Sequence, residues 1–330
     1  HVIVRERLKT GSIEDAVKNT MKIIKGAYSL LILSPQKMIA VRDPQGFRPL
    51  CMGHCGEDIV FASESCALDV TGATFDRDIE PGEVVTITNN EIVSDKFMPN
   101  EKKGLCIFEY IYFARPDSTI DGINVHIIRE QVGRCLAKQA PVDADIVAGV
   151  PDSGNDAALG YSKESKIPYD IVFVKNKYIG RTFIQNSQNK RKKLISLKLN
   201  PLYHTVKGKK IVLVDDSIVR GNTLTKIIKT LKDAGAKEVH IRIASPAFVD
   251  VCYFGTDIDK KENLIANNRT VEEIRQMIGA DSLEYMNLDS LKEIAKDCKV
   301  KGFCDGCFTG KYPIEVPKNI DKDKFEKIQF

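Results

Sequence analysis

The sequence predicts two domains of different class: an α+β region with antiparallel strands over residues 1–100, then an α/β domain with a mostly parallel sheet over residues 101–330. Three observations predict this. Short apolar or β-branched runs separated by turn residues fill the first region. The polar stretch Pro99-Asn100-Glu101-Lys102-Lys103-Gly104 then marks a boundary. Beyond it, apolar strands alternate with helical patterns, the signature of a parallel sheet covered on both faces. With 43% hydrophobic and 28% charged residues in 330, the chain is long enough and apolar enough to fill two cores.

Taken in order, Ile13, Ala16, Val17, Met21 and Ile24 recur at helical spacing behind Ser12, a residue suited to capping, so one amphipathic helix precedes a sheet. Residues 27–33, 38–41, 59–62 and 84–88 read as strands, with turns at Pro35, Gly56, Pro81-Gly82 and Asn89-Asn90. In the second region the expected strands are 146–150, 171–174, 210–214 and 239–244. Helices are expected near 127–138, 155–165 and 222–234.

Composition and charge exclude several classes. A net charge of +4 spread over this length gives no concentrated basic face for nucleic acid. The run Lys190-Arg191-Lys192-Lys193 reads as a solvated loop or, less simply, as an anion-facing one. No apolar stretch approaches the roughly 20 residues that cross a bilayer, and no signal-peptide pattern opens the chain, so neither membrane nor secretion is expected and the cytoplasm is the expected compartment. Nine cysteines, an odd number, argue for thiols used singly or as metal ligands in a reducing compartment. His1 stands where an initiating Met would, which raises the expectation of sequence upstream.

The most informative stretch is Ile211-Val212-Leu213-Val214-Asp215-Asp216-Ser217-Ile218-Val219-Arg220-Gly221-Asn222-Thr223: an apolar strand, two acids, a small-residue loop, then a helix. Backbone N–H groups of Ser217 to Thr223, the hydroxyls of Ser217 and Thr223 and the start of the helix can cradle a phosphate, and Gly221 permits close approach of the backbone. Adjacent carboxylates at the end of a buried strand are costly unless they meet a cation or hydroxyls. A lone acid pair that merely ends a strand is common, but here thirteen consecutive positions agree. The loop Gly149-Val150-Pro151-Asp152-Ser153-Gly154-Asn155 lies between an expected strand and helix, where its N–H groups can face a second anion. Residues 175–184, with Lys175, Tyr178 and Arg181 around Gly180, have the spaced cations of a closing lid, although taken alone they would read as a solvated loop.

The thirteen-residue run resembles the phosphoribosyl-pyrophosphate motif of type I phosphoribosyltransferases. The two further segments narrow this to the glutamine amidophosphoribosyltransferases. So do Ala40-Val41-Arg42-Asp43-Pro44-Gln45-Gly46-Phe47-Arg48-Pro49-Leu50, Phe61-Ala62-Ser63-Glu64-Ser65-Cys66-Ala67, Glu109-Tyr110-Ile111-Tyr112-Phe113-Ala114-Arg115-Pro116-Asp117-Ser118 and Phe308-Thr309-Gly310-Lys311-Tyr312-Pro313. The resemblance implies that residues 1–100 are the later part of an N-terminal-nucleophile (Ntn) glutaminase domain. Residues 101–330 would be the transferase domain with an iron–sulfur-binding C-terminal segment.

It further implies that Asp152, Ser153, Gly154, Asp215, Asp216, Ser217, Arg220, Gly221, Asn222 and Thr223 bind phosphoribosyl pyrophosphate, with Ser153, Asp215 and Asp216 facing one Mg²⁺. The reaction implied is formation of 5-phosphoribosylamine from glutamine or ammonia, the first committed step of de novo purine synthesis. Purine nucleotides are implied as feedback inhibitors, and a homo-oligomer, dimer or tetramer, as the assembly. The glutaminase of the family uses an N-terminal cysteine; Cys51, Cys55 and Cys66 are internal and cannot use a free α-amino group as base, so this half is expected to be inert as it stands.

Cys304-Asp305-Gly306-Cys307 is a close pair suited to zinc, to a cluster or to a reactive dithiol. The resemblance adds Cys106 and Cys252, and four thiolates are what a [4Fe-4S] cluster requires. Cys51-Met52-Gly53-His54-Cys55 is expected to be structural, as are Cys66, Cys135, Cys298, His126, His204 and His240. Two other readings compete: a regulator that binds phosphoribosyl pyrophosphate without catalysis, and an iron–sulfur redox protein.

Overall fold

The computed structural model describes residues 1–89, 91–99, 103–176, 199–258 and 260–317. Tyr178, Arg181, the rest of the expected lid beyond Asn176, and the run 190–193 lie outside the described residues.

The first region holds two antiparallel sheets. One has the order Ser29–Leu33, Met38–Arg42, Val84–Thr88, Glu91–Asp95; the other has Cys51–Cys55 between Asp58–Ala62 and Thr74–Asp78. Ala40, Val85 and Ile87 of the first sheet pack against Met52 of the second together with Leu50 and Ile79, so the sheets share a core. The expected amphipathic helix is Ile13–Ile23, capped by the Ser12 side chain, which accepts from the Asp15 N–H. Its Val17 and Met21 cover Ile39, Val41 and Val84. A helix not foreseen, Val2–Thr10, precedes it. Its Val4 and Leu8 are exposed, so it lacks the one-sided apolar stripe that betrays a packed helix.

In the second region the sheet order is Ile146–Gly149, Lys210–Asp215, Glu238–Ile243, Ser282–Tyr285, all parallel, with Gly149 opposite Val214. Alternate residues feed two cores. Val147, Val212 and Val214 face Val132, Leu136, Ala157 and Tyr161 of the helices Val125–Gln139 and Asn155–Ser165. Ile211 and Leu213 face Leu224, Ile227 and Ile274 of the helices Asn222–Asp233 and Val271–Ile278. Such double burial is why these strands read as continuous apolar runs.

One expected strand is corrected. Residues 171–174 do not join this sheet: Phe173–Lys175 pairs antiparallel with Leu199–Pro201, and a single bridge from Val147 to Tyr169 leads toward it. The fourth parallel strand is Ser282–Tyr285, which escapes a pattern search because it is only four residues long and carries Ser282 and Glu284 between its apolar positions.

The two regions meet through side chains. Glu64 accepts from the Arg115 N–H at 2.9 Å and from the Ser118 hydroxyl at 2.8 Å, and the Ser65 hydroxyl accepts from the Thr119 N–H. No described helix is long and apolar enough to cross a membrane.

Candidate active site and cysteine cluster

The two expected anion loops leave the carboxyl ends of adjacent parallel strands, where open α/β sheets hold ligands. The ladder runs one residue past the strand, since the Val150 N–H donates to the Val214 carbonyl at 2.8 Å. Gly154 is packed so tightly that a Cβ there would lie 2.3 Å from the Val214 oxygen, so only glycine lets this loop close on the neighbouring strand. The Pro151–Asp152 peptide is cis. Gly221 has φ +78°, the left-handed region that favours glycine, and turns the second loop into the helix Asn222–Asp233. That helix start has no side-chain cap, and Asn222 and Thr223 are exposed in its first turn, leaving N–H groups for an anion.

Between the loops, the Ser153 hydroxyl donates to Asp216 Oδ2 at 2.5 Å and the Ser217 hydroxyl donates to Oδ1 of the same carboxylate. Asp215 Oδ1 accepts from the Asp216 N–H at 2.9 Å. Burial raises both carboxyls above the usual carboxylate range. The Asp216 charge adds to the rise of Asp215, while the Ser153 and Ser217 hydroxyls and Arg129 act against the rise of Asp216. Two adjacent acids in this state are prepared to meet a cation or hydroxyl groups. Lys175 pairs with Asp152, so the start of the expected lid touches the first loop. Arg220 is exposed at the rim of the second loop.

The structure thus brings Ser153, Asp216 and Ser217 into contact and joins Lys175 to Asp152. Sequence reasoning missed Arg129. This buried arginine, within the helix Val125–Gln139, donates to the carbonyls of Tyr110 and Ala114 at 2.9 and 2.8 Å, and has Asp156 Oδ2 at 3.8 Å. Burial lowers its pKa, while Asp156 and Asp216 pull the other way. The available signal was its position one residue after Ile128 and three before Val132, on the apolar face of the helix.

Four cysteines on other segments form a second constellation. Cys106 and Cys304 are register partners in the short parallel pair of Leu105–Cys106 and Phe303–Cys304. The Val249 and Asp250 N–H groups donate to the Cys307 carbonyl, drawing in the segment that carries Cys252. Burial first, then the neighbouring Cys106, Cys252 and Cys304, push the Cys307 thiol up; burial likewise pushes Cys304 up to about 12. Backbone donors face the sulfurs: the Phe254 and Thr256 N–H groups lie 3.3 and 3.4 Å from Cys252 Sγ. All nine cysteines are free, and Cys51 is buried against Leu68 and Ala73 while Cys55 is exposed. Among the described residues no group of three or more His, Cys, Asp or Glu could hold a metal ion.

Comparison with known proteins agrees with both regions. A phosphoribosyl transferase domain family matches residues 124–249 and a glutamine amidotransferase domain family matches residues 6–70. The chain is 49% identical to an amidophosphoribosyltransferase of Methanocaldococcus jannaschii, covering 99% of this chain and 70% of that protein. It is 47% identical to the Bacillus subtilis and Archaeoglobus fulgidus amidophosphoribosyltransferases, covering 65% and 68% of them and 92% and 94% of this chain. The chain therefore spans about two thirds of the length of these curated relatives. Among solved structures it is similar to the B. subtilis glutamine phosphoribosylpyrophosphate amidotransferase complexed with ADP and GMP. The TM-score is 0.88 at 45% identity, over 96% of this chain and 71% of that one.

Proposed function

The chain belongs to the amidophosphoribosyltransferase family, and from that premise we infer that the paired loops bind phosphoribosyl pyrophosphate and direct transfer of its ribosyl carbon to ammonia. The observation that carries this reading is the joining of the two loops through Ser153 and Asp216, at the carboxyl ends of neighbouring strands.

On this reading the N–H groups of 217–223, with the Ser217 and Thr223 hydroxyls, hold the 5′-phosphate, while Arg220 and Asn222 stand at its rim. Asp215 and Asp216 orient the ribose hydroxyls, and Asp152, Ser153 and Gly154 face the diphosphate. The C1–oxygen bond breaks, the electron pair leaves with diphosphate, and the ammonia nitrogen bonds to C1 and then gives up a proton to solvent. Ammonia is already a nucleophile, so the site needs position and electrostatics more than a general base. A Mg²⁺ ion held by Asp215, Asp216 and Ser153 would neutralise charge on the departing diphosphate. The donor set fits: this ion is commonly bound by one or two carboxylates plus substrate phosphates, and the adjacent carboxylates of Asp215 and Asp216, the second in contact with the Ser153 hydroxyl, supply that chemistry. Lys175, Tyr178 and Arg181 are proposed to close over the charged substrate.

For the whole protein we propose glutamine as nitrogen source, a domain boundary near residue 100, purine nucleotides as feedback ligands, a homo-oligomer, and the cytoplasm as compartment. We also assign Cys106, Cys252, Cys304 and Cys307 to a [4Fe-4S] cluster, with a structural role. The convergence of Cys106, Cys252 and Cys304 on Cys307, with backbone N–H groups facing Cys252 Sγ, supports this, since four thiolates are what such a cluster requires.

Release of diphosphate from phosphoribosyl pyrophosphate, dependent on ammonia, tests the reaction. Tight binding without turnover would instead identify a regulator.

A further inference from the structure

Arg48 brings a charge from the first region to the cysteine-bearing segments. It follows Phe47, whose carbonyl accepts from the Cys106 N–H at 3.0 Å and whose ring stacks on Phe254 with centroids 4.1 Å apart. The Arg48 guanidinium then holds two of the cysteine-bearing segments at once. Its Nη1 lies 2.5 Å from Oε1 of the buried Glu109, three residues after Cys106. Its Nη2 donates to the Phe254 carbonyl at 3.1 Å, two residues after Cys252, and Phe254 in turn donates its own N–H to Cys252 Sγ. The guanidinium carbon stands 4.5 Å from the Phe113 ring centroid. Burial opposes its charge, while Cys106, Glu109 and Cys252 favour it. Gly255 accommodates the group, because a Cβ there would lie 2.9 Å from Nη2.

We propose that Arg48 is a positioning residue for the four-cysteine site. It clamps the Cys106 and Cys252 segments together from the other half of the chain and sets a permanent positive charge beside their sulfurs. This role rests on the cluster reading above. The planar fork supplies the clamp, since it makes two directed contacts at a fixed angle, while the charge alone needs no particular geometry. A cluster held by four thiolates concentrates negative charge in a buried place, where a neighbouring cation is weakly screened. Removing the cation therefore makes the cluster harder to reduce. Removing the fork loosens two ligand segments and admits oxygen.

The test uses the full chain, purified without oxygen, as wild type, Arg48→Gln, Arg48→Lys and Glu109→Gln. Iron and acid-labile sulfide, the half-life of the visible absorbance in air and the reduction potential are measured. Arg48→Gln is expected to bleach in air several-fold faster and to show a more negative potential. Arg48→Lys is expected to bleach faster with a potential close to wild type, and Glu109→Gln, which releases one arm of the clamp, to bleach faster. An Arg48→Gln protein with wild-type half-life and potential overturns the proposal. If Arg48→Gln does not fold, a wild-type bleaching rate in both Arg48→Lys and Glu109→Gln overturns it. Wild-type protein without sulfide overturns the cluster reading itself, and this role with it.

Discussion

Arg42 and Asp121 form a fully buried two-pronged ion pair, Nη1 to Oδ1 at 2.9 Å and Nη2 to Oδ2 at 2.8 Å, that joins the antiparallel strands of the first region to the segment after residue 103. The remaining Arg42 donors are used as well, by the carbonyls of Arg48, Ile79 and Gly46. Such a pair is not strong evidence of net stability, because burying two charges costs about as much as their attraction returns. Breaking it from one side, however, strands a buried charge.

Arg42→Met should therefore destabilise the chain by about 3–5 kcal/mol, with Asp121 left unpaired. Arg42→Met combined with Asp121→Leu should recover part of the loss. Urea unfolding of the two single variants and the double variant measures the coupling. Strict additivity of the two single losses would show that the pair does not join the regions.

Asp78 is a carboxyl with an orphaned buried oxygen, and burial, with Asp121 adding, pushes it up to about 6 from an ordinary 3.8. A group that holds its proton more tightly folded than unfolded favours the fold below about pH 4, and that contribution is lost as the pH rises through about 6. Asp78→Asn, which keeps an acceptor but cannot ionise, should be more stable than wild type by about 1–3 kcal/mol at pH 8 and no more stable at pH 4. Denaturation at the two pH values checks this; an advantage independent of pH would contradict it.

Much of the geometry of the candidate site was legible because it is contiguous: thirteen residues carry the strand, both acids, the loop and the helix start, and local physics alone orders them. What was hidden depends on contacts far apart in sequence. Arg129, Arg48 and the Arg42–Asp121 pair are single charged residues whose meaning lies in a carbonyl, a carboxylate or a sulfur from another segment. The strand Phe173–Lys175 failed for a related reason. Its apolar run is right for a buried parallel strand, yet its partner is Leu199–Pro201, a pairing that no local pattern encodes.

Gly154→Ala should cost the site its shape, since the new Cβ would press on the backbone of Val214 and Val150. The expected loss of phosphoribosyl pyrophosphate affinity is at least about tenfold, with a stability cost of about 1–3 kcal/mol. Calorimetric titration in Mg²⁺ buffer reads the first and thermal unfolding the second. Unchanged affinity would remove the first loop from the binding site.

Cys304→Ser should abolish the brown colour of anaerobic protein, in which the wild type carries about four iron and four sulfide per chain, whereas Cys51→Ser should keep it. Stoichiometric zinc without sulfide would contradict the cluster assignment.

The central claim, that Asp215 and Asp216 organise phosphoribosyl pyrophosphate for transfer to ammonia, is tested most directly by diphosphate release from the 330-residue chain in Mg²⁺ buffer with phosphoribosyl pyrophosphate and ammonia. Wild type should release diphosphate in step with substrate consumed. Asp215→Asn and Asp216→Asn should each fall at least about a hundredfold in kcat/KM, the scale of losing an electrostatic contact aimed at the reacting group, while their unfolding transitions remain intact. Full activity in both variants, or no ammonia-dependent release by folded wild type, would contradict the account.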